Sequence, residues 1–178
     1  MSTFVFREDD LSRFIKSLKP KLRAETTNID KACKKEKNKT WDYHARHIIG
    51  EKMEKWFKEY FRIRELPEPW KHYFGYEAEK NKLPRTKIFS SFGCYPDMYF
   101  HKPVKMAIEL DHGRTGSKLK SALGKAGFNK LSRDWERVCV VFFDESRNKE
   151  IEKSQKIRET KKIIDFYRDC LSTEILIV

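Results

Sequence analysis

The stretch YPDMYFHKPVKMAIELDHG, Tyr95 to Gly113, sets three carboxylates among residues that otherwise read as core strand. Glu109 and Asp111 are two residues apart, so on a strand they project from one face, with Leu110 on the other. Ala107 precedes them on that face and, being small, leaves room beside it. If residues 95–101 and 105–111 pair as a hairpin around His101-Lys102-Pro103, Asp97 comes close to Glu109. Three oxygen-rich side chains at one point repel each other unless a cation lies among them. Hard oxygen ligands and an incomplete shell suit Mg²⁺ or Mn²⁺, which keep waters and take phosphate oxygens. Taken singly, each acid reads as an ordinary exposed side chain. The Pro-Asp on one strand joined to Glu-x-Asp on the next reads as a site.

The elements that must position these groups follow from periodicity. Leu11, Phe14, Ile15, Leu18 and Leu22 repeat at helical spacing, with a kink or stop expected at Pro20. Residues 31–39, KACKKEKNK, read as a solvated polar segment that could also rest on phosphates. A longer helix is expected from about Thr40 to Arg62, with Ala45, Ile49, Met53, Trp56, Phe57 and Tyr60 on its apolar face. Trp70, Tyr73, Phe74 and Tyr76 could stack on bases, but read first as pinning a long loop to the core. From Thr86 the period becomes two, and Lys87–Phe92, Tyr95–His101 and Lys105–Asp111 read as three strands. A helix follows to about Leu131, capped by Ser117 or Thr115. Arg137–Phe143 is unbroken apolar sequence, hence a central strand covered on both faces. Residues 147–171 read as a charged helix burying Ile157, Ile163, Ile164, Tyr167 and Leu171, and residues 174–178 as a closing strand.

The whole chain sets bounds. Its 178 residues suffice for one domain with a real core. An N-terminal helix and basic loop (1–39) would precede the core (40–178). Lys and Arg number 39 against 27 Asp and Glu, a net charge of +12 with a pI near 9.5. Such an excess favours polyanionic partners, nucleic acid first. The longest apolar runs, VCVVFF and ILIV, are far too short to span a bilayer. The start lacks the basic-then-apolar layout of a signal peptide. Cys33, Cys94, Cys139 and Cys170 show no metal-ligand spacing and read as free thiols of a reducing, cytoplasmic compartment.

Pro96-Asp97, then Glu109-Leu110-Asp111 on the next strand, then a helix and an apolar strand resemble the PD-(D/E)XK nuclease superfamily, which includes restriction endonucleases and archaeal Holliday junction resolvases. The resemblance covers about Thr86 to Phe143. It implies an α/β fold with a restriction endonuclease-like α-βββ-α-β core, a mixed sheet flanked by helices. It implies Mg²⁺- or Mn²⁺-dependent hydrolysis of DNA phosphodiesters, with Asp97 and Glu109 as metal ligands. The family's lysine position holds Asp111 here. Asp111 then reads either as a further ligand, with a lysine lent by the next helix, or as the mark of lost chemistry; the former is favoured. Lys125 or Lys120 is the expected displaced lysine. Lys118, near the same helix's N-terminus, joins Arg114, His112 and Lys87 as expected DNA contacts. The family often adds an acid from the first core helix, and Glu54 is preferred over Glu51 for that role.

The expectation is therefore a metal-dependent DNA endonuclease with no membrane association. One compact domain favours structure-selective recognition, such as a Holliday junction or other branched DNA. A homodimer is expected, because cutting two strands usually takes two sites. The alternative is a catalytically impaired DNA-binding protein on a nuclease scaffold.

Overall fold

The structure is a computed structural model. It describes residues 5–76, 86–89, 92–131 and 135–178, with the strand path alone for 86–89 and 92–94. The chain opens with three helices, α1 (Glu8–Ser17), α2 (Lys19–Lys35) and α3 (Trp41–Phe61). Pro20 sits in the first turn of α2, where its missing N–H would have no helical partner anyway. The expected break is therefore a junction between two helices. Thr40 caps α3 by accepting the Tyr43 N–H at 3.2 Å, and Arg62 ends it in the left-handed conformation.

Strands β1 (Phe74–Gly75), β4 (Met98–Phe100), β5 (Met106–Gly113), β6 (Arg137–Asp144) and β7 (Thr173–Ile177) form one sheet in the order β1-β4-β5-β6-β7. The pairs β1–β4 and β4–β5 are antiparallel. The pairs β5–β6 and β6–β7 are parallel. Helix α4 (Gly116–Leu131) connects β5 to β6; α5 (Glu150–Ser154) and α6 (Arg158–Leu171) connect β6 to β7. The fold is thus α/β, a mixed sheet flanked by helices.

Alternation along the strands divides the core between the sheet's two faces. Met98, Phe100, Ile108, Leu110, Cys139, Val141 and Phe143 face α1–α3. Tyr99, Ala107, Val138, Val140 and Phe142 face α4, where Ala122 and Ala126 let the helix lie close to the sheet. Because β6 is covered on both faces, Val138 through Phe143 are all buried. Leu11, Phe14, Ile15, Leu22 and Ile29 are also buried, so the first 39 residues supply part of the main core.

Three expectations are corrected. The strand at β2 (Thr86–Phe89) pairs with β3 (Phe92–Cys94) in a separate two-stranded sheet. The outer strand of the antiparallel trio is instead β1, two residues from the aromatic loop, whose Tyr73 and Phe74 are buried as expected. Residues 31–35 complete α2 instead of leaving the helix. Finally, the charged segment after β6 is broken into a short 3₁₀ turn, α5 and α6; of the expected stripe, Ile157 is 54% and Ile163 51% exposed, whereas Ile164, Tyr167 and Leu171 are half-buried, with Tyr167 packed against the core. Helical periodicity shows that apolar residues share a face, but it does not show that anything covers that face.

Cys33, Cys139 and Cys170 are free thiols, with Cys139 buried; the side chain of Cys94 lies outside the described residues. Among the described residues, no helix is long and apolar enough to cross a membrane.

Candidate functional site

The antiparallel register pairs Met98 with Ile108. One residue further, Asp97 comes opposite Glu109, on the face that carries Tyr99 and Ala107. The Leu110 N–H donates to Oδ2 of Asp97 at 2.8 Å, tying the acid to the adjacent strand just where β4 begins. Glu109 is 4% exposed, and Asp111 follows on the same face. All three acids thus lie toward α4.

Helix α4 answers them with residues one turn apart. Lys125 Nζ stands 3.1 Å from Oδ2 of Asp111, and the Asn129 amide donates to Oε1 of Glu109. Residues four apart share a helix face, so the pair meets β5 together. Asp111 also accepts its neighbour's N–H, from His112, at 2.9 Å.

The electrostatics are those of acids crowded in a region poor in water. Burial pushes the Asp97 carboxyl up to about 7, against the stabilising Leu110 N–H. Burial, with the charge of Asp97, holds Glu109 well above the usual carboxylate range, although Lys125 and Asn129 pull it back. Burial alone would lower Lys125, but the charge and hydrogen bond of Asp111 and the charges of Glu109 and Asp42 outweigh it, so its ammonium is held above the ordinary lysine range. Lys125 therefore stays protonated at neutral pH.

Asp42, in the first turn of α3, is a member of this cluster that sequence reasoning missed. Burial raises its carboxyl, Lys125 counters, and Asp111 raises it further, so it lies within electrostatic reach of both. Its position is fixed by Trp41, which stacks on His112 (4.2 Å between ring centres, 19° between planes) and meets Phe143 edge-on at 5.0 Å. An acid in the first turn of a helix reads as a partner of the helix dipole, which hides any other role. Asn129 escaped for a similar reason, since an amide inside a helix carries no signal of its partner.

Glu54 does not join the cluster. It lies twelve residues beyond Asp42, about 18 Å along the helix axis, and pairs with Lys58 at 2.7 Å. Together with Glu51 and Trp70 it lines a separate cleft. Lys120 is exposed and lines a groove with Leu119, Leu123 and Ile163, so of the two lysines only Lys125 meets the acids. Lys118 is exposed. Arg114 is exposed, 4.0 Å from Glu145. His112 pairs through Nδ1 with Glu145 at 2.7 Å. The side chain of Lys87 lies outside the described residues.

The donor set is all oxygen, the chemistry of a hard divalent cation. Among the described residues, however, no group of three or more His, Cys, Asp or Glu is arranged to hold one ion. Asp111 is turned to Lys125, which leaves Asp97 and Glu109 as the facing pair. Mg²⁺ commonly takes only one or two carboxylates from a protein, completing its shell with water and phosphate. A buried Glu109 and a half-buried Asp97 that repel each other fit that requirement. No family model, curated protein or solved structure matches the chain.

Proposed function

We propose that this chain is a divalent-metal-dependent DNA endonuclease. The observation that carries the reading is Asp97 facing Glu109 across the β4–β5 pair, with Lys125 brought beside them by its ion pair to Asp111. The net charge of +12 supports a polyanionic substrate. Asp97 and Glu109 would hold Mg²⁺ or Mn²⁺. When bound, such an ion polarises a phosphodiester oxygen and offsets the charge that develops as the bond breaks. Asn129 fixes the rotamer of Glu109. Asp111 anchors Lys125, whose ammonium supplies positive charge and a hydrogen-bond donor where the attacking water must be oriented. Asp111 thus acts as the holder of the displaced lysine.

The substrate in this reading is branched DNA, such as a four-way junction, cut by a homodimer; sedimentation that shows only monomer on DNA at micromolar concentration would argue against the dimer. Supercoiled, linear and four-way-junction DNA with Mg²⁺ or Mn²⁺ supply the test of activity. Cleavage is expected from the natural chain and is expected to vanish in Asp97→Ala and Glu109→Ala, with circular dichroism unchanged. Normal cutting by either variant would sink the site assignment. Salt-sensitive DNA binding without cleavage would favour the binding protein instead.

A further inference from the structure

Arg46, one turn into α3 from Asp42, is a cation with its donors unused. Its Nε is buried and has no hydrogen-bond partner, and among the described residues the guanidinium makes neither a hydrogen bond nor an ion pair. It nevertheless lies within electrostatic reach of both Asp42 and Asp97. An arginine so close to carboxylates ordinarily closes a two-point ion pair with one of them. This one instead stands with its central carbon 5.5 Å from the centre of the Tyr43 ring, to which Lys39 also brings its ammonium within 4.6 Å. A buried donor left unpaired is unfavourable, and an oxygen from a bound anion would satisfy it.

We propose that Arg46 is a phosphate-binding residue of the candidate site, taking a phosphate of the DNA backbone next to the carboxylate cluster, with Lys39 and the Tyr43 ring flanking the same approach. The choice of DNA rests on the endonuclease reading; the unsatisfied guanidinium does not. The planar fork suits a phosphate's oxygens in a way that a single ammonium does not. The nearby acids also work in favour of the arrangement. They keep Arg46 at the site by attraction without occupying its donors.

The test uses the full chain with a four-way DNA junction and EDTA, so that binding is read without cleavage. The Nε–H signal of Arg46, identified by its loss in Arg46→Lys, is expected to move when the junction is added. Arg46→Ala is expected to weaken binding about tenfold or more and to reduce the slope of log affinity against log salt by about one. Arg46→Lys should recover the slope but only part of the affinity. Arg46→Ala also loses the Tyr43 ring contact and the attraction of Asp42 and Asp97, so its fold is checked by circular dichroism, and Arg46→Lys, which keeps the charge, separates loss of the planar fork from loss of stability. A junction that binds with ordinary salt dependence but leaves the Arg46 signal and the Arg46→Ala affinity unchanged overturns the proposal. No binding of the junction overturns both this proposal and the endonuclease reading. Binding through Arg46 with no cleavage on adding Mg²⁺ or Mn²⁺ leaves the phosphate site standing and removes the endonuclease reading alone.

Discussion

Asp97 shows how one residue couples the proposed chemistry to stability. Its carboxyl ionises near the ordinary value of 3.8 in the unfolded chain, but burial raises it to about 7 in the fold. The folded state therefore holds a proton that the unfolded state has lost between those values. The stability this confers is fully present below the unfolded value and is lost as pH rises through the folded one. Urea unfolding should show a loss of about 4 kcal/mol between about pH 4 and pH 8 from this group. Asp97→Asn, which can still accept the Leu110 N–H, should flatten that dependence. Mg²⁺ bound by Asp97 and Glu109 should oppose it, so the thermal midpoint should rise with Mg²⁺ more at about pH 8 than at about pH 5. Equal Mg²⁺ shifts at both pH values would argue against the two carboxylates as ligands.

At the scale of elements, helix phase decides which lysine meets the acids. Lys125 and Asn129 lie one turn apart on the face that meets β5, whereas Lys120 falls on the exposed side. Lys125→Ala should reduce cleavage by about 10²-fold or more, the scale of losing a positioned proton donor or charge. Lys120→Ala should change it by less than about threefold, since surface substitutions away from a site have small effects. Comparable losses in both variants would show that α4 does not select between them. The sequence narrows the choice to one helix, because Lys125 lies beside the Leu119, Leu123 and Ala126 stripe. The opposite result for Glu54 has a physical cause. A 21-residue helix is about 32 Å long, so its two ends cannot serve the same site, and the register of α3 against β5 is set by Trp41 on His112 and Phe143. No periodicity in α3 reveals that contact.

For the molecule as a whole, the two faces of the sheet are closed differently. Helices α1–α3 cover one face with a continuous apolar layer, while α6 leaves Ile163 and Phe166 about half exposed. Ile163→Ser and Phe166→Ser should therefore each change unfolding free energy by about 0.5 kcal/mol or less, as for surface positions, against the 2–5 kcal/mol expected for truncation of a buried residue. Chemical denaturation of the two variants reads this directly; a loss in the core range would mean that the face is covered in solution. Composition could not anticipate this, because an amphipathic helix needs only one apolar side, whether or not a neighbour fills it.

The sequence by itself determined the strand period around Tyr95–Gly113, the shared face of Glu109 and Asp111, the covered central strand at β6, and the meeting of Asp97 with Glu109. Each of these depends on alternation or short turns, which are local and fixed by backbone geometry. Only the tertiary structure decided that β1 replaces the expected first strand, that Asp42 and Arg46 from α3 enter the site while Glu54 does not, and that Asp111 holds Lys125. Those outcomes depend on how elements distant in sequence dock, where packing against a shared core sets the register and local pattern carries no record of the partner.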